Sequence, residues 1–149
     1  MDKGHIIADA GRNPLMEFLG VKIVEASGEQ VVLTMDVTPN VHQYVGIMHG
    51  GVSMYLAETA ASIGAVTAAD LSKVTPVGVE INGNHLRAVS KGTLTVTATP
   101  VFTGRTMAVW QIEIRNEKDK LVCVSRCTFS LQNRPARGPV PKTPNSAAA

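Results

Sequence analysis

The sequence predicts an α+β domain in which a curved antiparallel sheet wraps around one long buried helix. Three observations carry this. Residues 52–70 form one uninterrupted stretch of small and apolar residues, with alanine at 57, 60, 61, 65, 68 and 69. At 1.5 Å per residue that is a helix ~28 Å long. Apolar residues occupy nearly every face of it, the mark of a buried helix; a curved sheet covers most of its sides, and the remaining face needs a partner, which implies a homodimer. Two strand-like segments precede it and four meandering ones follow, a pattern that builds an antiparallel sheet.

The elements follow in order. Residues 1–12 carry no period and read as a loose arm. Asn13, Pro14 and Gly20 punctuate a short helix, as N-cap, first helical residue and C-terminal stop. Residues 21–27 read as a strand, 28–29 as a turn and 30–37 as a second strand, together a hairpin. In the second strand Val31, Leu33, Met35 and Val37 alternate with other residues, the period of a half-buried strand. Residues 38–48 are a loop leading into the long helix, and 71–73 break away from that helix. A strand over 74–86 and a turn at 90–92 come next. Residues 93–102 alternate almost strictly, Thr outward and Leu, Val and Ala inward. A turn at 103–105 leads to a strand over 106–115, a polar hairpin at 116–120 and a last strand over 121–131. Residues 133–149, with four prolines and a terminal alanine run, read as a disordered tail. The organised domain is therefore 13–132.

Composition narrows the function classes. Hydrophobic residues are 44% and charged residues 17% of the 149, which places the chain among globular proteins with a real core. A formal net charge of +2 is too small for a nucleic-acid surface, and 4% aromatics supply no base-stacking platform. The start of the chain has no apolar signal segment, and the Ala-rich helix carrying Glu, Ser and Thr is poorly suited to spanning a membrane. Cys123 and Cys127 lie four apart in one strand, roughly 13 Å at ~3.3 Å per residue, too far to bond each other. They are read as reduced core thiols, and the expected compartment is cytoplasmic. No metal site and no cofactor are expected.

One residue is out of place in the helix. Glu58 is a lone carboxylate in an apolar segment, where a charge must be paired or used. Gly50 and Gly51 stand at the start of the helix. Free N–H groups and a positive dipole end make that start an oxyanion site in kind, and glycine lets a substrate come close; the bland alternative is a plain glycine entry to a packed helix. Gly50 and Glu58 are eight residues apart, ~12 Å along the axis, so one carbonyl cannot touch both. If both serve one reaction, Glu58 must come from a second, antiparallel helix, and the sites are composite across a two-fold axis. Ser62 shares the Glu58 face four residues on and can orient it or a water; its bland alternative is helix packing. His49 and Gln43 lie in the preceding loop, where each alone says little. His5 and His42 are read as solvated.

The string Gly46-Ile-Met-His49-Gly50-Gly51, followed by Glu58 within Leu56-Ala-Glu-Thr, resembles the hotdog-fold acyl-CoA thioesterases. It is similar in particular to the branch with 4-hydroxybenzoyl-CoA, phenylacetyl-CoA and 1,4-dihydroxy-2-naphthoyl-CoA thioesterases. Val79-Glu-Ile-Asn-Gly-Asn-His-Leu-Arg87 and Val109-Trp-Gln-Ile-Glu-Ile114 with Ser125-Arg126 add to a likeness over roughly 14–132. The resemblance implies the hotdog fold and acyl-CoA as substrate. It implies that Glu58 attacks the thioester or activates water, that the Gly50 N–H polarises the carbonyl, that Gln43 assists with His49 orienting it, and that Ser62 positions water. It places coenzyme A on Asn82, His85 and Arg87 and on Gly104, Arg105 and Thr106. Candidates for the acyl pocket are Met48, Tyr55 and residues 74–78. A homodimer with shared sites, assembled into a dimer-of-dimers tetramer, is implied, with no nucleic-acid or membrane partner. Two other readings compete. A non-catalytic acyl-CoA-sensing domain of this fold loses the acid that Glu58 retains, and a hydratase resembles an Asp/His dyad pattern absent here.

Overall fold

The structure, a computed structural model, describes residues 13–134. The arm over 1–12 and the tail beyond residue 134 lie outside it. Helix α1 (Pro14–Leu19) is followed by β1 (Lys22–Ala26) and β2 (Val31–Val37), then α2 (Gly50–Ala68), then β3 (Val74–His85), β4 (Gly92–Thr103), β5 (Met107–Asn116) and β6 (Leu121–Asn133). The α1 punctuation is as read: Asn13 accepts the Leu15 N–H at 2.9 Å, Pro14 opens the helix and Gly20 closes it with φ 69°.

The six strands form one antiparallel sheet in the order β1-β2-β4-β5-β6-β3. This differs from a plain meander. The strand after the helix does not pair with the next strand in sequence; β3 lies at the far edge against β6, and β4 returns beside β2. Alternation fixes each strand and its inner face but carries no information about its neighbour. β6 also runs two residues past its expected end, because Asn133 pairs with Val74 and the Arg134 N–H donates to Lys73 O at 2.8 Å.

Every second residue of the central strands faces one concave side. Val31, Leu33 and Met35 of β2, Leu94, Val96 and Ala98 of β4, Trp110, Ile112 and Ile114 of β5, and Cys123, Cys127 and Phe129 of β6 are all buried there. Register shifts at Val24, Val79 and Val101 add the extra residues that bend strands. Helix α2 sits in the resulting trough and touches all six strands. A Cβ on Gly64 would collide with the Trp110 indole, so the missing side chain is what lets the helix settle onto the sheet. At its end Thr67 Oγ1 donates to Ser27 O at 2.8 Å, tying α2 to the β1–β2 turn. Asp70 then takes the Ser72 hydroxyl (2.6 Å) and N–H (3.1 Å), and these bonds with Lys73 hold its carboxyl at about 2.

The sheet covers most sides of α2 and leaves one face open, and Glu58, read as part of a buried segment, lies exposed on that face in the single chain. Leu56, Ala57, Ala60, Ala61 and Gly64 face the sheet and are buried, whereas Tyr55, Thr59 and Ser62 are half-buried.

Candidate active site

The loop before α2 is a built structure. Residues Pro39–Val41 form a 3-10 turn, His42 bridges to Met48, and the Gln43 N–H donates to Ile47 O at 2.9 Å. The Gly46 N–H closes the tip onto Gln43 O at 3.0 Å, with Gly46 at φ 77°. The Met48 N–H to Val89 O and the His49 N–H to Val41 O, both 2.8 Å, clamp the return. His42, read as solvated, is half-buried, and its Nε2 lies 2.9 Å from Ser90 O. It fastens this loop to the β3–β4 connection.

His49 is the N-cap of α2. Its Nδ1 accepts the Gly51 N–H at 2.8 Å, so the neutral ring carries its proton on Nε2. The Val52 N–H goes to His49 O at 3.0 Å. Gly50, at the first helical position, is left with an N–H that has no acceptor among the described residues. A Cβ there would lie 2.8 Å from His85 Nε2, so the imidazole packs directly on Gly50. Gly50 lines a cavity of about 330 Å³ together with Gln43, Met48, Ser53, His85 and Arg87.

Two turns further along α2 is a second cavity of about 340 Å³, lined by Asn13, Met16, Tyr55, Glu58, Thr59, Ser62 and Ile63. Neither Glu58 nor Ser62 makes a hydrogen bond among the described residues. A Cβ on Gly78 would lie 3.6 Å from Glu58 Oε1, so β3 passes beside the carboxylate without covering it. Burial pushes the Tyr55 phenol up, partly offset by its hydrogen bond to Thr59.

The sequence candidates thus divide into two groups. Gln43, Gly50, His85 and Arg87 share the first cavity, with His49 capping the helix beside it; Glu58 and Ser62 share the second. Asn82, Gly104, Arg105 and Thr106 line neither. The Asn82 amide donates to Glu80 Oε1 at 2.8 Å, and the Gly104 N–H closes the β4–β5 turn onto Met107 O at 2.8 Å. Of the acyl-pocket candidates, Met48 falls in the first cavity and Tyr55 in the second. Ser53 and Thr59 escaped the sequence reading. Both lie within a turn of a singled-out residue, Ser53 three after Gly50 and Thr59 beside Glu58, and helix periodicity was the signal available.

A helix cradled in a curved six-stranded antiparallel sheet, with a glycine-led start and a carboxylate two turns on, is the architecture of the hotdog thioesterases. The thioesterase superfamily profile matches residues 45–123. A 1,4-dihydroxy-2-naphthoyl-CoA hydrolase of Listeria monocytogenes is 42% identical over 120 residues, 80% of this chain and 97% of that protein. Two solved structures superpose closely. A mutant thioesterase of Pseudomonas aeruginosa gives a TM-score of 0.81 at 30% identity, covering 90% of this chain and 96% of that one. A thioesterase of Haemophilus influenzae gives 0.79 at 42% identity, covering 85% and 88%. The chain belongs to the thioesterase superfamily, and it is a thioester hydrolase. None of its described helices is long and apolar enough to cross a membrane.

Proposed function

We propose that the protein hydrolyses an aryl-CoA thioester to the free acid and coenzyme A at sites shared between two subunits. The Gly50 N–H polarises the carbonyl and the Glu58 of the partner subunit attacks it or activates water against it. Gln43 assists at the carbonyl. Ser62, beside Glu58, positions the water. Arg87, which lines the first cavity, meets the anionic end of coenzyme A. The relatives named as 1,4-dihydroxy-2-naphthoyl-CoA hydrolases support an aromatic acyl group.

The observation that carries this reading is the split of the machinery into two cavities on one helix. Contacts along β3 suggest how two copies reunite them. Gly50 packs on His85, Met54 on Gly83, and Glu58 lies by Gly78, so helix and strand run in opposite directions. β3 is the edge of the sheet, twelve residues long, with Val77 and Val79 exposed. Such an edge is a template for another strand. A second β3 laid antiparallel, with Gly78 opposite the partner's His85, sets each Glu58 across from the partner's Gly50. Each subunit would also cover the open side of the other's helix.

The test is thiol release from a panel of benzoyl-, 4-hydroxybenzoyl-, phenylacetyl-, 1,4-dihydroxy-2-naphthoyl- and fatty acyl-CoA. Turnover with the highest kcat/KM on an aryl-CoA is expected. Tight binding without thiol release would mean a sensor, and preference for the fatty esters would remove the aryl assignment.

A further inference from the structure

His85 is placed for chemistry that the mechanism above does not give it. β3 is an edge strand whose side chains alternate between two faces. Ile81, Gly83 and His85 pair with the buried Cys127, Ser125 and Cys123, so these three face α2, while Asn82 and Asn84 face away. Gly83 packs on Met54, and two residues further along His85 packs on Gly50. The three heavy atoms nearest to a Cβ built on Gly50 all belong to the imidazole, and the nearest is Nε2 at 2.8 Å. A Cβ stands about 2.5 Å from its own backbone nitrogen, so Nε2 lies within about 5.3 Å of the Gly50 N. Neither ring nitrogen of His85 is hydrogen-bonded among the described residues, and the residue lines the first cavity with Gly50 and Arg87.

This inference rests on reading the Gly50 N–H as the donor to the thioester carbonyl. We infer that His85 is the second donor: its Nε2–H and the Gly50 N–H hold the same carbonyl oxygen. Two donors that each sit about 2.9 Å from one oxygen can stand up to about 5.8 Å apart, and this pair falls inside that limit. The pantetheine arm of coenzyme A keeps the nucleotide many bonds from the thioester. A ring in contact with Gly50 therefore stands at the reacting end of the substrate and not at the phosphates. When Glu58 of the partner subunit, or the water it activates, adds to the carbonyl carbon, the C=O π pair passes to oxygen and both N–H groups stabilise it. The ring keeps its proton on Nε2 throughout, with Nδ1 unprotonated. As the adduct collapses the carbonyl re-forms, the C–S bond breaks with its electron pair passing to sulfur, and the thiolate takes its proton from water.

The experiment uses the best aryl acyl group of the panel, as its coenzyme A and pantetheine esters. Loss of one such donor predicts for His85→Ala a kcat lower by about 100-fold or more on both esters alike, with KM changed by less than about threefold. His85→Gln returns an N–H donor on a side chain of similar reach and should recover about tenfold or more of that loss. Tm of each variant checks folding, which an exposed side chain should leave intact. A second readout changes the acceptor. In the matching dithioester of pantetheine, sulfur replaces the carbonyl oxygen and accepts hydrogen bonds weakly. The loss caused by His85→Ala should be smaller there by about tenfold or more. An unchanged kcat, an equal loss on thioester and dithioester, or no recovery by Gln would each overturn the assignment. A KM rise confined to the coenzyme A ester would return His85 to the nucleotide. If the wild-type protein released no thiol from any ester, the reading of Gly50 would fall first, and this inference with it.

Discussion

Replacing Glu58 by Gln removes one charge, keeps the shape, and separates chemistry from folding. In the single chain Glu58 is exposed, has no hydrogen bond or ion pair among the described residues, and lies beside β3 at Gly78. On an exposed face such a substitution changes stability by no more than about 0.5 kcal/mol, and in the shared site an amide in place of a covered charge is neutral or favourable, so Tm should not fall. The rate should not be spared. A general base typically contributes ~10²–10⁴-fold and a covalent nucleophile more. At 1.36 kcal/mol per decade that is about 3–5 kcal/mol of transition-state stabilisation. The assay is kcat by thiol release on the best aryl-CoA of the panel, with acyl-CoA binding and Tm measured on the same preparation. A fall in kcat of about 100-fold or more with binding nearly unchanged and no fall in Tm is expected. Near-normal kcat, with another carboxylate such as Glu80 proving essential, would refute the reasoning about this helix.

Three other outcomes follow from the structure. Arg87→Ala should raise KM for acyl-CoA more than for acyl-pantetheine, because only the former carries the nucleotide phosphates; steady-state kinetics on both esters checks it. Gly64→Ala drives a methyl into Trp110 and should cost about 1–3 kcal/mol, read as a lower urea midpoint and a Tm lower by several degrees. Cys127 is buried, and that burial, reinforced by the negative charges of Glu58 and Glu80, pushes its thiol up to about 11. A thiol raised on folding gives a contribution fully present below its ordinary value of 9.0 and lost as pH rises through about 11. The urea midpoint should therefore fall between pH 9 and 11 more steeply than in Cys127→Ala, and native protein at pH 8 should resist alkylation until unfolded.

Much of the fold could be read from local chemistry. Asn13, Pro14 and Gly20 bound α1, and the alternation of Thr with Leu94, Val96 and Ala98 gave β4 its inner face. These signals act within a few residues. Strand partnership does not: β2 meets β4 across the whole of α2 and β3, and nothing in either strand's own pattern names the other. The exposure of Glu58 was hidden for a related reason. Alanines suit a helix face packed on a sheet and equally one that awaits a second subunit, so composition could not say which side a single sheet covers. At the site, the His49-Gly50-Gly51 start and Glu58 stood out by type and spacing. Ser53 did not, because a serine in a small-residue helix looks like packing until the cavity beside it is seen.

The central claim is that each active site takes Gly50 from one subunit and Glu58 from the other, and subunit mixing tests it most directly. Glu58→Ala removes the carboxylate. Gly50→Pro removes the polarising N–H at the first helical position, where the proline backbone is allowed although its Cβ must displace the His85 imidazole. Each variant alone should be inactive. In a hybrid dimer with shared sites, one site combines Glu58 of the Gly50→Pro subunit with Gly50 of the Glu58→Ala subunit and is intact. Random mixing makes half the dimers hybrids, each with one good site of two, so about a quarter of wild-type activity should return. Hybrids verified by mass that remain as inactive as their parents would contradict the account and place both groups in one subunit's site.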